Sequence, residues 1–190
     1  MSQLDILYED NHLLVVNKPA GIATMGAAAG EPTIHQLACD YLRIKYQKPG
    51  NVFVGVVSRL DTMTSGVIVL ARTSKAASRL VPQFGGPQQG KKSAITDQAD
   101  KIYLAAVEGD LDQQAGTLVD DVVKDDAARR MRVVDQSAAG AKRAELAFAN
   151  IACTGDVTLV GVKLKTGRKH QIRLQFAERG HAVIGDRKYG

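Results

Sequence analysis

Short apolar runs, each closed by turn residues, set the pattern of this chain. Residues 6–12 read as a strand that runs into an Asp10-Asn11 turn, and residues 13–17 as a second, apolar strand. Lys18-Pro19-Ala20-Gly21 then breaks regular structure. Thr33 can cap a helix over residues 34–44, where Ile34, Leu37, Ala38, Tyr41 and Leu42 recur at helical spacing. Lys48-Pro49-Gly50-Asn51 is a turn, residues 52–57 and 67–71 are strands, and Ser74 caps a helix that runs to about Gln83. Residues 85–98 hold three Gly, one Pro, three Gln and two Lys with no apolar period, and read as a mobile loop. Strands follow over residues 101–109, 116–119 and 130–134. Residues 144–153 and 157–165 form a hairpin around Thr154-Gly155-Asp156. Residues 169–178 read as a helix, and residues 180–185 as a turn into one last strand. Many strands with a few interspersed helices predict an α+β fold with a mixed or antiparallel sheet and flanking helices. No internal repeat or linker divides the chain, so a single domain over residues 1–190 is expected.

Composition narrows the function classes. At 190 residues and 45% hydrophobic content the chain can bury a core, and no apolar run is long enough to cross a membrane. The N-terminus lacks the basic-then-apolar pattern of a secretory signal. Cys39 and Cys153 match no metal spacing and read as buried or incidental thiols of a reducing, cytoplasmic compartment. The net charge of +5 is unevenly placed. Residues 157–190 hold eight Lys or Arg against two acids, whereas the first 156 hold 17 basic and 18 acidic side chains. A local basic surface suits a polyanion, though a solvated basic helix would look the same. The absence of Trp and an aromatic fraction of 5% argue against a single-strand binder built on many stacking platforms.

Candidate chemistry starts at Ser58-Arg59-Leu60-Asp61-Thr62-Met63-Thr64-Ser65-Gly66, ahead of the apolar run 67–71. A carboxylate mounted at a strand end can act as nucleophile or general base. If the strand continues that far, Arg59 shares a face with Asp61. Strand 101–109 sets Tyr103, Ala105 and Val107 on one face, where a tyrosine ring can stack on a base. Lys165-Thr166-Gly167-Arg168-Lys169-His170-Gln171-Ile172-Arg173 reads as a turn opening a helix with cations in its first turns, suited to a phosphate or a carboxylate. On that helix Ile172 and Phe176 can face the core, while His170 and Arg173 can share a polar face. Each residue also has a plain structural reading. Asp61 can be a turn cap, Arg59 and Asp61 an ion pair, Tyr103 a core residue and His170 a satisfied interface histidine. There is no second placed carboxylate for a glycosidase pair, no metal-ligand spacing, no Walker loop or dinucleotide fingerprint, and no Gly-x-Ser-x-Gly elbow.

The Arg59-to-Gly66 stretch resembles the R-L-D-x-x-T-S-G motif of the RluA-type pseudouridine synthase family. Residues 101–109 match that family's K-x-Y-x-A-x-V-x-G pattern at every fixed position, and residues 166–173 resemble its T-G-R-x-H-Q-[IL]-R motif. Residues 180–190 look like G-H-P-[IL]-x-G-D-x-x-Y-G, with Ala182 where Pro is usual, and residues 6–21 resemble the opening strands and N-K-P-x-G turn. The resemblance implies isomerisation of uridine to pseudouridine in ribosomal or transfer RNA, with no cofactor and no metal. It implies that Asp61 is the catalytic Asp, that Tyr103 is the active-site Tyr and that Arg173 pairs with the Asp. Arg59 matches the Arg that helps to extrude the base, and Thr64, Arg168, Lys169 and His170 join it as candidate RNA-binding residues. Ser58 departs from the usual His. Relatives usually continue beyond the position of Gly190, so the chain reads as a truncated or short form, with no separate N-terminal RNA-binding domain. The competing expectation is an RNA-binding protein of the same fold without catalysis.

Overall fold

Strand β1 (Asp5–Glu9) reverses into β2 (Leu13–Lys18) because the Asp10 carboxylate accepts hydrogen bonds from the backbone N–H of His12 and Leu13. The computed structural model describes residues 4–85 and 98–190. They divide into two compact units, Met1–Ala99 and Asp100–Gly190, and each builds its own sheet. Residues 86–97, within the predicted mobile loop, lie outside the described residues.

In the first unit, α1 (Ile34–Lys45) starts as its sequence predicts. The Thr33 side chain accepts from Gln36 N–H, and the Gln36 side chain accepts from Thr33 N–H, a reciprocal cap. Ile34, Ala38 and Leu42 are buried on one helix face and pack with Leu14, Val16, Ile68 and Leu70. The predicted strand 52–57 shrinks to β3 (Gly55–Val56). The carbonyls of Val52 and Val54 turn instead toward α1, where they meet Cys39 Sγ at 3.4 Å and His35 Nε2 at 3.2 Å. β4 (Gly66–Ala71) pairs antiparallel with both β2 and β3, giving the order β1-β2-β4-β3. Helix α2 (Ser74–Gln83) is capped by Thr73, one residue earlier than expected, through a bond from Ala76 N–H.

The second unit is a five-stranded antiparallel sheet in the order β5-β9-β8-β6-β7. Its strands are β5 (Lys101–Glu108), β6 (Ala115–Asp125), β7 (Arg130–Val134), β8 (Lys142–Thr154) and β9 (Val157–Leu164). β6 runs well past the four residues predicted, because Leu118 and Val122 continue the inward alternation opposite β8. Gly155, at positive φ, closes the predicted β8–β9 hairpin. Val107, Leu146, Phe148, Val160, Val162 and Phe176 form the core, with the Phe148 and Phe176 rings edge to face at 5.7 Å.

Helix α3 (Gln171–Ala177) starts two residues later than predicted, because His170 takes the left-handed conformation at φ 53. Arg168 and Lys169 therefore lie in the turn ahead of the helix and not in its first turns. The expected last strand is reduced to a single bridge between Val183 and Val107. Residues 186–190 fold instead as turns around Asp186, whose carboxylate accepts from Lys188 and Tyr189 N–H. Among the described residues no helix is long and apolar enough to cross a membrane.

Candidate active site

In the first unit Asp61 sits on the irregular segment between β3 and β4. This corrects the expected strand: regular pairing ends at Val56, so alternation does not place Arg59 and Asp61 on a shared face. Rigidity comes from buried polar anchors instead. Thr24 Oγ1 donates to Leu60 O at 2.9 Å and accepts from Leu60 N–H at 3.2 Å. Lys18 Nζ donates to the carbonyls of Pro19 at 2.8 Å, Ile22 at 2.7 Å and Thr62 at 3.0 Å. Gly21 N–H also reaches Thr62 O at 2.8 Å. The residues on both sides of Asp61 are thus pinned by their backbones. Gly66, at φ 131, then turns the chain into β4.

Lys18 is fully buried. Burial pulls its ammonium below the usual lysine range, and the Asp61 carboxylate opposes that pull. Asp61 is half-buried, Thr64 likewise, and Arg59 is exposed. The arrangement presents a carboxylate from a fixed backbone, as acid–base or nucleophilic chemistry requires.

In the second unit Tyr103 lies opposite Val162 and packs with Ala105 against the core. Arg173 forms a two-pronged pair with Asp186, Nε to Oδ2 at 2.6 Å and Nη2 to Oδ1 at 2.8 Å. The Asp186 side chain is only 2% exposed. The Arg173 guanidinium holds its carboxyl below the usual range against the cost of burial, with help from Lys188 and Tyr189 N–H. The same guanidinium lies 5.4 Å from the Tyr189 ring centre. The Tyr189 hydroxyl accepts from Met131 N–H and meets His170 Nδ1, both at 2.9 Å. His170 stands ahead of α3 and not on its face, so helical spacing does not bring it beside Arg173; both instead contact Tyr189.

Arg168 Nε donates to Arg143 O at 2.8 Å, and Lys169 is exposed. Burial and the Arg168 charge lower the Lys101 ammonium. Among the described residues, several C-terminal cations have acidic partners, including Lys163 with Asp100, Lys165 with Glu145, Arg173 with Asp186 and Arg179 with Asp120. Sequence reasoning gave no role to Lys18, Thr24, Asp186 or Tyr189. Three of them stand inside quoted motifs, and that position was the available signal.

The profile of the RNA pseudouridylate synthase family matches residues 12–178. This chain belongs to that family. It is 36% identical over 191 residues to an uncharacterized RNA pseudouridine synthase, YhcT, of Bacillus subtilis, covering 99% of this chain and 58% of that protein. It is 32% identical over 189 residues to ribosomal large subunit pseudouridine synthase D of Zymomonas mobilis, covering 98% and 56%. The chain therefore spans a little over half the length of these curated relatives. Among solved structures, human RNA pseudouridylate synthase domain containing 4 superposes with a TM-score of 0.78 at 25% identity, covering 98% of this chain and 69% of that one. The human domain containing 1 protein, at TM-score 0.72 and 24% identity, covers the same shares and shows the same fold. The family expected from the motifs and the α+β class expected from the order of strands and helices are both borne out.

Proposed function

We propose that this chain isomerises uridine to pseudouridine within a structured RNA, without a cofactor or metal, and that Asp61 carries the chemistry. The observation that supports this most is the anchoring of the Asp61 segment through Leu60 and Thr62, in a chain of this family. The reaction breaks the N-glycosidic bond, turns the freed uracil and rejoins it through carbon 5, whose proton leaves to solvent. That sequence asks for a carboxylate near the sugar and for a ring held while it turns. In this reading Asp61 is the carboxylate, Tyr103 stacks on the uracil, and Arg173 is the cation of the site. Arg59 and Thr64 meet the extruded nucleotide, and Arg168, Lys169 and His170 meet RNA around it. Residues 1–190 act as one catalytic domain in the cytoplasm.

The names of relatives such as the Zymomonas mobilis protein point to ribosomal RNA as the first substrate to test, with transfer RNA second. The test is tritium release from RNA labelled at carbon 5 of uridine. Release to solvent in step with pseudouridine formation is the expected result. Tight RNA binding with no release would overturn the reading and leave a binding protein of the same fold.

A further inference from the structure

Helix α3 has seven residues and no side-chain cap, too short to persist on its own tendency. Its back is held by a line of buried amides. The Gln171 side-chain oxygen accepts from Thr166 Oγ1 at 2.8 Å and from Arg168 N–H at 2.9 Å. Gln171 Nε2 donates to Gln175 Oε1 at 3.0 Å, and Gln175 Nε2 donates to Asp120 Oδ2 at 2.7 Å. Gln175 Nε2 also reaches Ala144 O at 3.4 Å, and Arg179 Nη1 closes the line on Asp120 at 3.0 Å.

Gln175 is fully buried and Gln171 nearly so. Burying two amides is costly unless their groups are satisfied, and apolar side chains would pack a helix more cheaply. The line also has a direction. A backbone N–H at one end can only donate, and a carboxylate at the other can only accept, so both amides are held in one orientation. Gln171 and Gln175 stand four apart on one face, and Arg173, midway between them, projects from another. Asp186 grips the head of Arg173 while the amides fix the helix that carries it.

We propose that Gln175, acting with Gln171 and Asp120, is a positioning residue for Arg173 and sets turnover, not RNA affinity. The proposal rests on the function given above, and one of its tests does not. Misplacing a reacting group by about 1 Å costs up to about a hundredfold in rate. Gln175→Glu sets a second carboxylate against Asp120. Its kcat on RNA should fall on the order of tenfold or more, with KM held within about twofold. The double variant Gln175→Glu/Asp120→Asn rebuilds the line with the charge moved one step, and should recover kcat to within about threefold of wild type.

Failure of the folded double variant to recover activity, or a loss confined to KM, would overturn the proposal. If Gln175→Glu does not fold, Gln175→Met is read in its place: a kcat loss at constant KM supports the proposal and unchanged kcat refutes it. Hydrogen exchange separates this inference from the reaction itself. In folded Gln175→Met the α3 amides should exchange faster while those of β8 and β9 keep their protection. Unaltered α3 exchange would sink the positioning role even in an active enzyme. Faster exchange in a protein that turns over no uridine would leave the amide line standing and remove the function.

Discussion

Lys18 shows how one side chain can set the segment proposed to carry the chemistry. Its buried ammonium spends three hydrogen bonds on the carbonyls of Pro19, Ile22 and Thr62. Lys18→Met fills much of the same volume but removes the ammonium donor from all three carbonyls, of which Thr62 keeps the Gly21 N–H, so it should lower stability by about 2–3 kcal/mol. The midpoint of urea unfolding measures this, and an unmoved midpoint would contradict it. Lys169 is the opposite case, an exposed cation. Lys169→Ala should leave that midpoint in place, weaken RNA binding and reduce its salt slope by about one. An unchanged slope would mean that Lys169 does not meet phosphate. Residue type and motif spacing mark Asp61, Tyr103 and Arg173 as candidates in the sequence. The role of Lys18 is not so marked, because its partners are backbone carbonyls, which every residue owns. The Asp186 partner of Arg173 was likewise hidden, although both residues stand in motifs.

Elements were legible where their signals are local. The Thr33 cap and the β8–β9 turn needed only neighbouring residues. The shortened β3 and the late start of α3 depend on partners distant in sequence or on a left-handed residue, which periodicity does not reveal. The packing of β1, α1 and β4 turns on Glu9, another such partner. Its carboxylate accepts from Tyr41 at 2.7 Å, Tyr46 at 2.6 Å, Lys45 at 2.8 Å and Arg72 at 2.9 Å. Burial alone would raise its pKa, but hydrogen bonds from Lys45, Tyr46 and Tyr41 outweigh that and bring it from 4.5 to about 2. The folded state therefore favours the charged form. The stability this supplies is complete above pH 4.5 and is lost as pH falls toward about 2. Thermal unfolding across that window should show wild type losing stability more steeply than Glu9→Gln. Equal slopes would show that Glu9 is not the titrating group.

Across the whole molecule, the charge read from sequence is only partly the charge presented. Asp100, Glu145 and Asp120, all outside residues 157–190, pair with three of the C-terminal cations. A count along the chain cannot see pairs closed by a sheet. Order of motifs survives folding better. The first unit carries the N-K-P-x-G and R-L-D stretches, and the second carries the other three, across a chain whose family match covers residues 12–178. The proposed function rests on one carboxylate, that of Asp61. The direct measurement is tritium release from uridine-labelled ribosomal RNA by wild type and Asp61→Asn at equal RNA occupancy. The expected result is release by wild type and none by the variant, with RNA affinity nearly unchanged. Release by Asp61→Asn at the wild-type rate would contradict the assignment.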